Sequence, residues 1–277
     1  MNWQSKVEAF CKEFSIPIDY LAETLNEPKV IPMIRGKAFE FTVLEKLKAV
    51  LNPEIWRVSK SYMNAQLGTH DEDVSVLHIP TNTNISIECK LAAKGGFRET
   101  GDGYEIKVKC MRSRTLGEAM VQRLSAQWGM EESVLQIHND QYRPTDFDIV
   151  ITSIGNAFYQ THPETDNFYW SPGHSGIEFL RMMFGVAGDT VKELAFNKMY
   201  IITSSDLTIR NGGHQTCTRR KCNNQSDCGF IPNYPIIKFG KLTNNAPTEP
   251  TNGWRLITTA DRALLEVVAK KTGRVVQ

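Results

Sequence analysis

The sequence predicts an α/β protein in which helices flank a central mixed β-sheet. Short runs rich in Val, Ile and Leu, either alternating or continuous, occur at 73–79, 85–90, 104–110, 147–151 and 199–203. Stretches with apolar residues every three or four positions occur around them, at 1–27, 36–51, 115–128 and 261–271. A chain of 277 residues with 41% apolar content is long enough for one large core, so 1–277 is read as a single domain.

In chain order, Val7, Phe10, Cys11 and Phe14 give residues 1–27 a helical pattern, which Pro28 and Pro32 break. A second helix is expected from Gly36 to Leu51, with a stripe of Phe39, Val43, Leu44, Leu47 and Leu51, ended by Asn52-Pro53. Trp56 to Met63 reads as a first strand. Two strands then flank the turn composition Pro80-Thr81-Asn82-Thr83-Asn84. Lys94 to Arg98, with its Gly-Gly pair, reads as a flexible crossing. The alternating segment from Tyr104 to Cys110 carries positive charge on one face through Lys107 and Lys109. That face suits backbone contact with DNA or simple solvation. Leu116, Met120 and Leu124 mark a helix from Thr115 to Trp128, and 147–151 and 199–203 read as buried strands. Residues 155–175 gather Phe158, Tyr159, Phe168, Tyr169 and Trp170, either as a stacking platform for bases or as a loop packed by its own aromatics. Helices at 178–184 and 261–271, with a loop at 244–252 between them, complete the reading.

The hairpin at 71–90 is the densest in chemistry. In Ile85-Ser86-Ile87-Glu88-Cys89-Lys90 successive side chains point to opposite faces, so Glu88 and Lys90 share one face while Ile85, Ile87 and Cys89 turn to the core. Antiparallel pairing across the turn brings Asp73 toward Glu88 and Lys90. Two carboxylates and an amine placed together can bind Mg²⁺ against a phosphodiester and activate a water. A local ion pair on an amphipathic strand would use the same residues.

Asp73 followed by Glu88-Cys89-Lys90 resembles the PD-(D/E)xK nuclease superfamily, to which most type II restriction endonucleases belong. The resemblance covers roughly 35–150 and implies a restriction-endonuclease-like core. It implies that Asp73 and Glu88 hold Mg²⁺ and that Lys90 helps position and deprotonate the attacking water. Such nucleases often carry a glutamate on a preceding helix, for which Glu40 is the first candidate and Glu45 the second. The chain departs from the pattern in having Glu72, not proline, before Asp73, which leaves Asp71 as an alternative ligand. The implied activity is sequence-specific cleavage of double-stranded DNA by a homodimer. A structure-specific repair or recombination nuclease would share the site.

A second constellation spans about 205–232. His214, Cys217, Cys222 and Cys228 lie in a polar stretch with few apolar residues, and one imidazole with three thiolates matches a structural Zn²⁺ site. A disulfide, free thiols or a different fourth ligand are the alternatives. Arg210, Arg219, Arg220 and Lys221 make this loop a candidate DNA contact. The formal net charge of +1 gives no global vote for nucleic acid, so any DNA-binding charge must be local. A non-catalytic, zinc-stabilised DNA-binding protein is the reading from another class. No apolar run approaches the roughly 18 residues of a membrane span. Six cysteines without a secretory leader pattern predict a reducing, cytoplasmic setting. Neither a phosphate-binding Gly-x4-Gly-Lys loop nor a Gly-x-Ser-x-Gly nucleophile elbow is present.

Overall fold

The computed structural model describes residues 2–60, 73–113, 115–186, 188, 190–210, 215–241 and 249–273. Three helices open the chain: α1 (Trp3–Glu13), α2 (Leu21–Asn26) and the long α3 (Val30–Val50). Strands β1 (Trp56–Ser59), β2 (Val74–His78), β3 (Thr83–Thr100) and β4 (Gly103–Val108) follow. Helices α4 (Glu118–Trp128) and α5 (Glu132–Ile137) lead to β5 (Ile149–Ser153). A small hairpin of β6 (Tyr159–Thr161) and β7 (Phe168–Trp170) precedes α6 (Gly173–Phe184) and α7 (Thr190–Asn197). The rest is β8 (Met199–Thr203), α8 (Ser204–Leu207), β9 (Ile236–Gly240), β10 (Arg255–Leu256) and α9 (Ala260–Thr272).

The main sheet is curled and mixed, with strands in the order β1-β2-β3-β5-β8-β10, and β4 and β9 continue from the far half of β3. Among the described residues the β3–β5 pair alone is parallel; its connection runs through β4, α4 and α5. On one face α3 and α9 cover Ile85, Ile87, Ile149, Ile151 and Ile201. The other face buries Val150, Tyr200 and Ile202 with Phe158, Phe179, Phe239 and Trp254. All five residues of β5 are buried, as expected of a strand covered on both sides. Trp56 Nε1 donates to Asp261 Oδ1 at 2.6 Å and ties the edge strand to α9.

Three expectations are corrected. Residues 94–98 are not a flexible crossing; they lie inside β3, where the pairing with β4 shifts register between Ala92 and Phe97. The glycines serve this bulge: Gly95 has φ +64°, and a Cβ on Gly96 would meet the Ala93 carbonyl at 2.6 Å. Pro32 does not break a helix but sits in the first turn of α3, where a missing N–H costs nothing. The buried strand near 147–151 begins two residues later, at Ile149, because Asp148 is spent on a local anchor: its Oδ2 accepts from Ser86 N at 2.8 Å. Of the aromatics of 155–175, Phe158, Tyr159 and Trp170 pack on one another, with Phe158 buried and its ring 5.6 Å from Trp170, while Tyr169 is exposed. Among the described residues no helix is long and apolar enough to cross a membrane.

Candidate functional site

The β2–β3 hairpin pairs antiparallel with Val74 opposite Ile87. Asp73, one residue before Val74, therefore meets the next position of β3, and its Oδ2 accepts from Cys89 N at 2.8 Å. Glu88 is 4% exposed, and its Oε1 lies 2.6 Å from Lys90 Nζ. Pleating makes the two neighbours on one face, as the alternation of the sequence predicts. Ser86 shares that face but is used elsewhere, bonding Asp148 through both its N–H and its hydroxyl.

Glu40 arrives from α3. The buried stripe Phe39, Val43, Leu44 and Leu47 turns to the sheet, and helical spacing places Glu40 beside it, 6% exposed. A carboxylate there needs partners. Lys60, just past β1, forms a short ion pair with Glu40, and Lys37 lies 2.8 Å from its other oxygen. Lys60 Nζ also reaches the Asp73 carbonyl at 3.3 Å. Four sequence-predicted residues, Asp73, Glu88, Lys90 and Glu40, are thus gathered at one end of the hairpin. Glu45 is exposed and pairs with Lys48, away from this group. Asp71 lies outside the described residues.

Tyr142 was not anticipated. Its hydroxyl donates to Glu88 Oε1 at 2.9 Å and accepts from Lys90 Nζ at 3.2 Å. Electrostatics follow from this crowding. Burial, with Glu88 and Glu40 close by, pushes the Asp73 carboxyl up to about 8, against the Cys89 N–H and Lys90. Burial by itself would lower the Lys90 pKa; Glu88 and Tyr142 outweigh it and hold the ammonium above its ordinary value. Burial and Glu88 raise the Tyr142 phenol, so it stays a neutral donor. Cys89 is held well up by burial and the three surrounding carboxylates and is no nucleophile.

The second group forms about the Cys loop. His138, Cys217, Cys222 and Cys228 each offer one ligand atom, and these lie within 4.8 Å of one another. Among the described residues this is the group of three or more such side chains that closes so tightly. His138 follows α5; its ring stacks on Phe230 at 4.2 Å, and its Nδ1 lies 2.6 Å from Gln141 Oε1 and 4.0 Å from Cys217 Sγ. The loop is shaped by Cys217 N donating to Gln225 O at 2.7 Å and Cys222 N to Arg219 O at 3.0 Å. Burial raises the Cys217 thiol and pushes Cys228 up to about 12, so a cation would be needed to hold them as thiolates. Three sulfurs and an imidazole are a donor set able to chelate a metal. His214 lies outside the described residues, and the fourth donor among the described ones is His138, a residue the sequence reading did not single out.

The basic residues divide. Arg220 and Lys221 are exposed on the loop, as are Arg210 before it and Lys107 and Lys109 on and just beyond β4. Arg219 is half-buried and forms a short ion pair with Asp140. No protein-family description matches the chain, and neither a curated protein nor a solved structure matches it.

Proposed function

We propose that this protein is a Mg²⁺-dependent, sequence-specific endonuclease of double-stranded DNA, of the type II restriction class. The observation that carries the reading is the convergence of Asp73, Glu88, Glu40 and Lys90 from a hairpin and a separate helix. Asp73 and Glu88 would hold the metal, with Glu40 binding a second cation or a water. Bound there, Mg²⁺ supplies a polarised phosphate and a water of lowered pKa. The raised Asp73 pKa supports the fit, since a buried carboxyl that resists ionising beside two others is a place where a divalent cation replaces a proton. Lys90 keeps its proton beside Glu88, so it acts as a donor: it orients the water and stabilises charge growing on the phosphate oxygens. The water oxygen would bond to phosphorus as the bond to the leaving sugar oxygen breaks, the water's proton passing to solvent and the departing oxygen taking one up from it.

Zn²⁺ is the metal best suited to His138, Cys217, Cys222 and Cys228, where it would have a structural role. The exposed Arg210, Arg220, Lys221, Lys107 and Lys109 are the candidate contacts to phosphates and base edges. A palindromic site would be matched by a homodimer. The exposed Trp3, Phe10, Phe14, Tyr20 and Met33 are apolar surface that a second copy could cover.

One observation favours a second reading. Glu88 is paired with Lys90, and Glu40 with Lys60 and Lys37, as in an ion-pair network of a non-catalytic zinc-stabilised DNA binder. Digestion of unmethylated phage DNA separates the two. The nuclease gives discrete fragments that need added Mg²⁺ and vanish in Lys90→Ala. A binder retards DNA without cutting it, and a structure-specific nuclease cuts branched but not linear duplex.

A further inference from the structure

The two groups of side chains are joined by one short stretch of chain. His138, which faces the three thiols, and Tyr142, which touches Glu88 and Lys90, are four residues apart. Two of the three residues between them, Asp140 and Gln141, are tied to the cysteine loop or to the segment between it and β9. Asp140 pairs with Arg219 of the loop and accepts from Asn233 Nδ2 at 2.9 Å. Gln141 Nε2 donates to Ile231 O at 2.9 Å, while its Oε1 meets His138 Nδ1 at 2.6 Å. Ile231 N donates to Tyr142 O at 2.8 Å. Arg112 braces the stretch from the other side: its N–H donates to Asp140 O at 2.9 Å and its Nε to Gln141 O at 3.2 Å.

The loop has little else with which to hold its shape. Between 215 and 229 only Cys217 is buried. Without a bound cation, three thiols and an imidazole contribute almost no cohesion, so beyond the Arg219–Asp140 ion pair the loop's hold on 138–142 depends on what the cysteines bind. Tyr142 is the far end of that unit. If its hydroxyl drifts, Glu88 loses a donor and Lys90 an acceptor inside a buried site.

We propose that a metal bound by His138, Cys217, Cys222 and Cys228 sets the position of Tyr142, and that Tyr142 is thereby a positioning residue for Glu88 and Lys90. Metal loading at the cysteine centre then tunes the cation affinity of the acidic site. The inference rests on the reading of that site as a divalent-cation site. Partners of this outer kind change affinity or activity about 10–100-fold when removed.

The test uses the full chain, with zinc content measured by mass spectrometry and binding of Mn²⁺, as a probe of the acidic site, measured by electron paramagnetic resonance. Wild type should carry zinc and bind Mn²⁺, with that binding lost in Glu88→Gln. Tyr142→Phe should stay folded and keep its zinc but bind Mn²⁺ about 10–100-fold more weakly. Cys222→Ser should lose zinc and show the same weakening, while His138→Cys, which keeps a four-donor set, should keep both zinc and Mn²⁺ affinity. Normal Mn²⁺ affinity in Tyr142→Phe, or in folded, zinc-free Cys222→Ser, overturns the coupling alone. Should Cys222→Ser fail to fold, wild type stripped of zinc by a chelator takes its place: unchanged Mn²⁺ affinity in that folded, zinc-free protein overturns the coupling, and weakening reversed by added zinc supports it. Equal Mn²⁺ binding by wild type and Glu88→Gln overturns the underlying site as well, and is recognised by that equality.

Discussion

Asp73 sits where burial, Glu88 and Glu40 all oppose its charge, and its carboxyl titrates near 8 instead of its ordinary 3.8. The sign of the consequence is fixed by linkage. A carboxyl whose pKa is higher in the folded than in the unfolded chain stabilises the fold fully below the unfolded value and loses that contribution as pH rises through the folded one. Without added divalent cation, the melting temperature should therefore fall between about pH 4 and pH 8. In Asp73→Asn, which has no proton to lose, that slope should flatten; an unchanged slope in thermal melts would assign the loss to other groups. At this scale the hairpin residues were legible because their geometry is local. Period-two alternation alone puts Glu88 beside Lys90, and one turn returns Asp73 to them. Glu40 was reached through resemblance to a nuclease pattern. Tyr142 and His138 were not legible: Tyr142 bonds Glu88 across 54 positions, and His138 meets Cys217 across 79. No periodicity spans such gaps. The surplus of three cysteines over one nearby histidine could at most have prompted a search among the chain's six histidines for a distant fourth ligand.

At the scale of elements, α3 and β3 carry the site. Glu40 is held at the sheet because the rest of its helical face is fully buried, with Val43 and Leu47 both at 0% exposure. Leu47→Ala should cost about 2–5 kcal/mol in denaturant unfolding, through lost apolar contact and the cavity left behind. A cost below about 1 kcal/mol would mean that α3 packs more loosely than described. The apolar stripe of α3 was readable from its 3.6-residue period, although its start was set too late by treating Pro32 as a breaker instead of a first-turn residue. The length of β3 was hidden for a related reason. Gly95-Gly96 reads as a loop, yet here it supplies a bulge that lets one strand serve two parts of the sheet. Composition reports what backbone angles a residue permits, and a bulge and a loop ask for the same ones.

Over the whole molecule, 32 basic and 31 acidic residues nearly cancel, so recognition of DNA would fall to local groups. Arg220 and Lys221 stand exposed on the cysteine loop, whereas Arg219 is engaged with Asp140. Replacing Arg220 and Lys221 together with alanine should weaken duplex binding and reduce the slope of log affinity against log salt by about 2, one for each lost phosphate contact. An unchanged slope would place the DNA elsewhere, with Lys107 and Lys109 next to be replaced. As proposed, Lys90, fixed by Glu88 and Tyr142, serves phosphodiester hydrolysis. The most direct measurement is the single-turnover rate of duplex cleavage in Mg²⁺ for the wild type and Lys90→Ala, with folding of both checked by circular dichroism. Cleavage by the wild type and a loss of about 10²–10³-fold or more in the variant are expected. Cleavage at equal rates, or none by folded, metal-loaded wild type on cognate or phage DNA, would contradict that role.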